Sequence, residues 1–122
     1  MKIISLLTSD RAEVETKTNK LNVWGVFNSV GAPIFPTKLK EFFVTVVTEG
    51  REGEKHHYRI NIKKDGKEVV GTDKVVLTGP RHYFIARFYD IVFVEPGAYT
   101  VEAMVDNEKM TTNLYLKVST QS

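Results

Sequence analysis

Apolar and polar residues alternate with a period of two along most of this chain, and no segment follows the 3.6-residue period of an amphipathic helix. The alternation is clearest over His56–Lys64, where the residues expected to face inward are Tyr58, Ile60 and Ile62. An Asp-Gly pair at 65–66 follows, which is the preferred sequence of a type I′ hairpin turn. The pattern therefore predicts an all-β protein built largely from hairpins.

Two polar or proline-containing stretches, Ser9–Lys20 and Ser29–Lys40, separate the alternating segments and are predicted to be loops. Strands are predicted over Lys2–Thr8, Leu21–Asn28, Phe42–Glu49, His56–Lys64, Lys67–Val70, Lys74–Leu77, Tyr83–Val94, Tyr99–Val105 and Thr111–Val118. Strands at roughly ten-residue spacing favour a two-sheet antiparallel β-sandwich of about seven to nine strands, with a barrel as the alternative. The last residues, 119–122, are predicted to be a tail.

The segment before Tyr99 makes the fold prediction more specific. In Glu95–Tyr99 a Pro-Gly turn leads into a strand that begins with tyrosine. This spacing resembles the tyrosine corner of immunoglobulin-like sandwiches, in which the tyrosine hydroxyl bonds to backbone a few residues upstream. We therefore predict an immunoglobulin-like sandwich.

Composition narrows the class of protein. The 122 residues are 42% hydrophobic and 26% charged, which predicts one domain over residues 1–122. The sequence contains no cysteine, so disulfides, thiolate metal sites and a cysteine nucleophile are excluded. The apolar stretch at the N-terminus is too short for a signal peptide, and no segment approaches membrane-spanning length. We expect a cytoplasmic protein that does not contact membranes.

Three short motifs resemble those of a family of small, standalone bacterial and phage proteins whose function is uncharacterised. They are Lys20–Asn28 (KLNVWGVFN), Pro33–Pro36 (PIFP) and Pro96–Val101 (PGAYTV). The resemblance implies a β-sandwich of intracellular type and implies no known activity.

Residues in patterns that indicate chemistry are sparse. His56 and His57 are adjacent, so in a strand they point to opposite faces and cannot readily bind one metal ion together. The chain has no Gly-x-Ser-x-Gly nucleophile motif, and its paired acids lie in polar segments that would not raise a carboxyl pKa. We therefore predict a protein that is not an enzyme and that uses no metal and no cofactor.

Two predicted strands are apolar on both faces, so one sheet is expected to present an apolar surface to a partner. The candidate contact residues are Phe43, Val47, Phe84, Phe88 and Arg87. The predicted function is a protein-interaction or structural module, with a second copy of the chain as one candidate partner. In the alternative, the loop over Ser29–Lys40 covers this surface.

A nucleic-acid-binding function is the second hypothesis. Residues 51–87 contain nine Lys or Arg against five Asp or Glu, although the whole chain has a net charge of only +2. The candidate residues for single-stranded nucleic acid are Arg59, Lys63, Lys64 and Arg81, with Tyr83 and Tyr89 as stacking platforms. This hypothesis requires the strand that begins near Arg81 to lie in the same sheet as Arg59 and Lys63.

Overall fold

Nine β-strands make up most of the computed structural model, and no helix occurs in the residues that it describes. The structure describes residues 1–119, except for the side chain of Leu77. The part of the predicted tail that follows Ser119 therefore lies outside the described residues. The strands are β1 (Lys2–Val14), β2 (Leu21–Val26), β3 (Ser29–Ala32), β4 (Thr37–Glu49), β5 (Glu54–Lys64), β6 (Lys67–Thr78), β7 (Arg81–Phe93), β8 (Gly97–Val105) and β9 (Glu108–Val118).

The strands form two sheets. The front sheet has the order β2-β1-β4-β7, and the back sheet has the order β3-β9-β8-β5-β6. Neighbouring strands are antiparallel except for β3 and β9, which are parallel. The run β9-β8-β5-β6 has the order G-F-C-C′ of immunoglobulin variable-type sheets. The structure confirms the two-sheet sandwich, and it adds the parallel pair as a departure from the purely antiparallel prediction.

Alternate residues of both sheets fill the space between them, as expected for strands with one buried face. Tyr58, Ile60 and Ile62 of β5 are fully buried there, which confirms their predicted inward orientation. Aromatic rings dominate the centre of this core. Phe42 stacks on Phe88 with ring centroids 5.4 Å apart, and Phe93 meets Tyr99 edge-on.

Several strand ends differ from the prediction by a few residues, and three differences are larger. Strand β1 continues to Val14, because the polar stretch after Thr8 pairs with β2 in an edge hairpin. The segment predicted as a loop over Ser29–Lys40 contains β3 and the first residues of β4, and its prolines lie between them. The two short strands predicted after Gly66 are one strand, β6, which pairs with β5 along its whole length. In each case pairing with another strand supplies the hydrogen bonds.

The predicted type I′ turn between β5 and β6 is confirmed, since Asp65 and Gly66 both have positive φ, 51° and 77°. Gly25 has both a backbone conformation that favours glycine and no room for a side chain. Its φ is +64°, and a Cβ atom there would lie 2.3 Å from a side-chain oxygen of Asp10. The β1–β2 hairpin therefore depends on glycine at this position.

The predicted tyrosine corner is also confirmed. The hydroxyl of Tyr99 donates a hydrogen bond of 2.6 Å to the carbonyl oxygen of Glu95, four residues upstream. Burial is the main influence that raises the pKa of the Tyr99 hydroxyl, so it remains a protonated donor at neutral pH. The bond joins the connection between β7 and β8 to the first residues of β8.

Loss of the corner hydrogen bond should be measurable. We expect Tyr99→Phe to lower the free energy of unfolding by about 1 kcal/mol, which is the typical net value of one such bond. Urea denaturation checks this. Tyr115→Phe is the matched control, since Tyr115 is 42% exposed and its substitution should change stability little. Equal effects of the two substitutions would contradict a stabilising corner.

Candidate interaction surface

The outer surface of the front sheet is apolar at its centre. Because Phe42, Val44 and Val46 of β4 face the core, their neighbours in the strand face outward. The same alternation applies to β1 and β7, which flank β4. The outward residues at the centre define what we call the apolar face: Leu7, Phe43, Thr45, Val47, Tyr83 and Ile85.

Cross-strand pairing places these residues in rows. Leu7 of β1 lies opposite Thr45 of β4, which in turn lies opposite Ile85 of β7. Thr45 is fully buried and Val47 is 7% exposed, although both point away from the core. Small side chains on a central strand become covered in this way when larger neighbours flank them. The rows therefore make a surface that is mostly apolar on β4 and β7, whereas on β1 Leu7 lies between Ser5 and Ser9.

Charged and aromatic residues surround this centre. Arg87 donates from Nε to a carboxylate oxygen of Glu41 at 2.8 Å, and its guanidinium lies 5.4 Å from the ring centre of Tyr89. Arg81 pairs with Glu49 at the opposite end, and this hydrogen bond raises the pKa of Arg81. The surface thus has an apolar centre and a polar rim, the usual composition of a protein contact region.

The segment between β2 and β4 does not cover the apolar face. Its strand β3 pairs with β9 in the back sheet, and Phe35 packs against the core between the sheets. The alternative in which Ser29–Lys40 covers this surface is therefore wrong. Within residues 1–119 no other strand crosses the outer side of the front sheet.

Two of the five predicted contact residues must be reassigned. Phe84 and Phe88 lie in the core between the sheets, 9% and 5% exposed, so they are not on the apolar face. Val47 and the half-buried Phe43 are on that face, and Arg87 is on its rim. The predicted set combined residues from opposite sides of β7.

These residues were combined because both sides of β7 are apolar before Asp90, which has a positive φ of 56° and reverses the alternation only beyond them. Before Asp90 the even-numbered residues face the core, whereas Phe93 beyond it is also buried there. Because of this reversal Tyr83 and Ile85 lie on the outer side of the sheet, whereas Phe93 lies in the core. Ile85 was not among the predicted surface residues, and Tyr83 was predicted only as a stacking platform for nucleic acid. An aspartate inside a long strand is the one sequence signal that indicates such a reversal.

The outer surface of the back sheet, which we call the ionic face, has the opposite character. At its centre the carboxylate of Glu102 is 7% exposed and accepts hydrogen bonds from Lys63 at 3.3 Å and Lys109 at 3.1 Å. Burial alone would raise the pKa of Glu102, but the bonds from Lys109 and Lys63 outweigh it and lower the pKa. Arg59 pairs with Asp73 at 3.1 Å and Glu68 at 2.9 Å.

The basic stripe required for the nucleic-acid hypothesis does not form. Arg59 and Lys63 lie in the back sheet, whereas Arg81 lies in the front sheet. Lys64 lies near the β5–β6 turn, where Asp65 at 3.3 Å and Glu95 at 3.4 Å pair with it. All four predicted residues have carboxylate partners, so the surface carries mixed charge instead of a cationic track.

The histidines occupy different environments. His56 is buried, and its Nδ1 donates to Asp106 at 2.5 Å, whereas His57 is exposed on the other side of the strand. The hydrogen bond from His56 lowers the pKa of Asp106. Burial lowers the pKa of His82. In the described part of the chain, no three His, Cys, Asp or Glu side chains are grouped so as to hold a metal ion.

An open cleft of about 360 Å³ lies beside the β5–β6 turn, lined by Lys64, Glu68, Val92, Glu95, Tyr99 and neighbouring residues. The hydrogen bond to Asp65 is the largest cause that raises the pKa of Lys64, which keeps this amine protonated. A lysine that acts as nucleophile or base needs the opposite shift. The cleft therefore shows no activated group among the residues described here.

An immunoglobulin-like sandwich with one apolar and one ionic outer face defines the class of this protein. The chain belongs to a family of unknown function (DUF6941), whose sequence model matches residues 4–119. The resemblance to an uncharacterised family is thereby confirmed at this level. No curated protein and no solved structure matches the chain. None of the residues with a described position belongs to a helix long and apolar enough to cross a membrane.

Proposed function

We propose that this protein is a non-enzymatic protein-interaction module and that the apolar face is its contact surface. The observation that carries the proposal is the contrast between the two outer surfaces. The ionic face has a charged network at its centre, whereas the apolar face has Leu7, Phe43 and Ile85 there and charges only at its ends. A water-exposed sheet surface is normally polar, and a contiguous apolar one marks a contact region.

The composition of the rim supports the same proposal. Arginine and tyrosine are enriched in protein interfaces because both combine a flat, weakly hydrated surface with hydrogen-bonding groups. The apolar face has Tyr83 at its centre and Arg87 and Tyr89 at one end. On the outer side of β2, Trp24 is 44% exposed and lies 4.9 Å from the guanidinium of Arg11.

A role outside catalysis is supported by the state of the titratable groups. Asp106 and His56 engage each other, and Glu102 and Lys64 are paired with oppositely charged neighbours that favour their ionised forms. These pKa shifts favour the ionised forms of groups that already have oppositely charged partners. Catalytic acids and bases instead have pKa values moved toward the working pH.

The partner is proposed to be a protein, and the location is proposed to be the cytoplasm. The location rests on the lack of cysteine in the sequence, which suits a reducing compartment. The bacterial or phage origin implied by the sequence motifs stays a prediction.

A photo-crosslinking residue at position 43 tests the proposed contact surface. Placed in the full chain in cells, it should give a discrete crosslinked product, whose partner mass spectrometry identifies. The matched control carries the same residue at position 113, since Asn113 is exposed on the back sheet. Products from both positions, or from neither, would contradict the proposal.

Phe43→Asp should weaken the same association at least about tenfold, because a carboxylate in an apolar contact loses its hydration. The substitution should leave the circular dichroism spectrum unchanged, since Phe43 is only half-buried and faces away from the core. Binding is measured by titration against the identified partner. Unfolding of Phe43→Asp would instead assign this residue to the core and defeat the proposal.

A further inference from the structure

We propose that the apolar face binds a second copy of this chain, with β4 of each copy lying over β7 of the other. This inference rests on the proposed function, because it names the partner of the same surface. A broad sheet surface is complemented best by another sheet, packed about 10 Å away with its side chains interdigitated. The distribution of charge on the apolar face then selects one arrangement of two copies.

Charges on the apolar face are separated by strand. Both outward acids at its ends, Glu41 and Glu49, belong to β4, whereas both outward arginines, Arg81 and Arg87, belong to β7. Glu49 lies opposite Arg81 in register at one end. Glu41 and Arg87 are joined by hydrogen bonds at the other. One strand is therefore acidic at both ends, and its neighbour is basic at both ends.

The proposed dimer has a two-fold axis that lies between the two facing sheets, parallel to the strands and midway between β4 and β7. Rotation about this axis places β4 of one copy over β7 of the other, and every residue keeps its position along the strand direction. Glu49 of one copy then faces Arg81 of the second copy, and the reverse contact forms by symmetry. At the other end Glu41 faces Tyr89 of the second copy, with Arg87 of that copy two residues away along the same strand. An arrangement that stacked β4 on β4 would bring glutamates against glutamates, which like-charge repulsion disfavours.

The same symmetry determines which apolar residues of the two copies face each other. Thr45 and Ile85 share a row, as do Val47 and Tyr83. Exchange of β4 and β7 therefore lays Thr45 and Val47 over the larger side chains of Ile85 and Tyr83, and it lays Phe43 over Arg87. Two surfaces can interdigitate when the small residues of one face the large residues of the other. The centre and both ends of the face thus favour one arrangement.

The size of the overlap predicts the strength of the dimer. Strands β4 and β7 each have 13 residues. At roughly 3.3 Å per residue and about 4.8 Å per strand, two such strands present on the order of 400 Å² per copy. This area is in the range of weak, transient protein contacts. We therefore expect a reversible dimer that is sensitive to salt.

Two complementary variants test whether the charges of this surface hold the two copies together. The acidic variant carries Arg81→Glu and Arg87→Glu, and the basic variant carries Glu41→Arg and Glu49→Arg, so each has a rim of one sign. Sedimentation velocity of the wild-type chain should show a concentration-dependent dimer that weakens about tenfold between roughly 0.05 and 0.5 M NaCl. Each variant alone should dimerise at least about tenfold more weakly, and a mixture of the two should form a heterodimer.

The control is Arg59→Glu, which changes a charge on the ionic face and should leave the dimer unchanged. A wild-type chain that stays monomeric while position 43 crosslinks to a different protein would overturn this inference and leave the proposed function standing. Unchanged self-association of both variants, or a mixture that does not associate, would exclude this surface, and a crosslink from position 43 to a site away from β7 of the second copy would exclude the arrangement. Should a double variant lose its fold, Arg87→Glu and Glu41→Arg provide the same comparison with one change each.

Discussion

Phe88→Ala should lower the free energy of unfolding by about 3–5 kcal/mol, whereas Phe43→Ala should lower it by about 1 kcal/mol or less. Phe88 is 5% exposed and stacks on Phe42 in the core, so its removal leaves a cavity between the sheets. Phe43 lies on the outer side of the same sheet, where water can occupy the space that alanine leaves. The comparison therefore distinguishes the two sides of the front sheet.

Guanidinium denaturation of both variants checks this expectation, with self-association kept low by working at low protein concentration. Phe84→Ala should behave like Phe88→Ala, because Phe84 stacks on the buried ring of Tyr58 at 4.9 Å. Similar losses of stability for Phe43→Ala and Phe88→Ala would mean that the outer side of the front sheet is covered by protein, which would contradict an open apolar face.

Combined replacement of Lys63 and Lys109 by methionine should lower the free energy of unfolding at pH 7 by about 2 kcal/mol. The substitutions leave the carboxylate of Glu102 buried without a counter-charge. The expected loss is smaller than the 3–5 kcal/mol of fully buried pairs, because both lysine side chains are partly in water. The stems of the new methionines keep most of the apolar contact.

The pH dependence of this loss has a definite sign. In the wild-type chain the pKa of Glu102 is below its ordinary value of 4.5, so its contribution to stability is present above pH 4.5 and disappears on acidification. Without the two lysines only burial acts, and the pKa of Glu102 rises above that value. The contribution then reverses sign, and stability falls as the pH rises from about 4 to 7.

Denaturation at several pH values measures this difference. The matched control adds Glu102→Gln to the double variant, which removes the ionisable group and should abolish the added pH dependence. A loss of stability that is the same at about pH 4 and pH 7 would show that the lysines contribute by contact and not by charge.

Local features of the chain were predictable because their causes are local. The type I′ turn at 65–66 and the hydrogen bond between Tyr99 and Glu95 each depend on residues close together in sequence. The inward orientation of Ile60 and its neighbours follows from alternation within a single strand. The opposite orientations of His56 and His57 were predictable for the same reason.

Features that depend on pairing or packing against another strand were not predictable. The polar residues after Thr8 belong to a strand only because β2 pairs with them. His56 is buried beside Asp106, which is 50 positions away, and no local pattern indicates that contact. In β7 both sides are apolar, so alternation identified two sets of residues without indicating which one faces the core.

The sequence by itself determined an all-β, cysteine-free chain, the turn at 65–66 and the tyrosine corner, because backbone conformation and period-two alternation follow from neighbouring residues. Only the tertiary structure decided which strands share a sheet, and with that the division of the charged residues between an ionic face and the rim of an apolar one. It also decided that Phe88 is core while Phe43 is surface, since burial depends on what lies across the sheet. The candidate interaction surface is therefore a consequence of strand order, which long-range pairing sets.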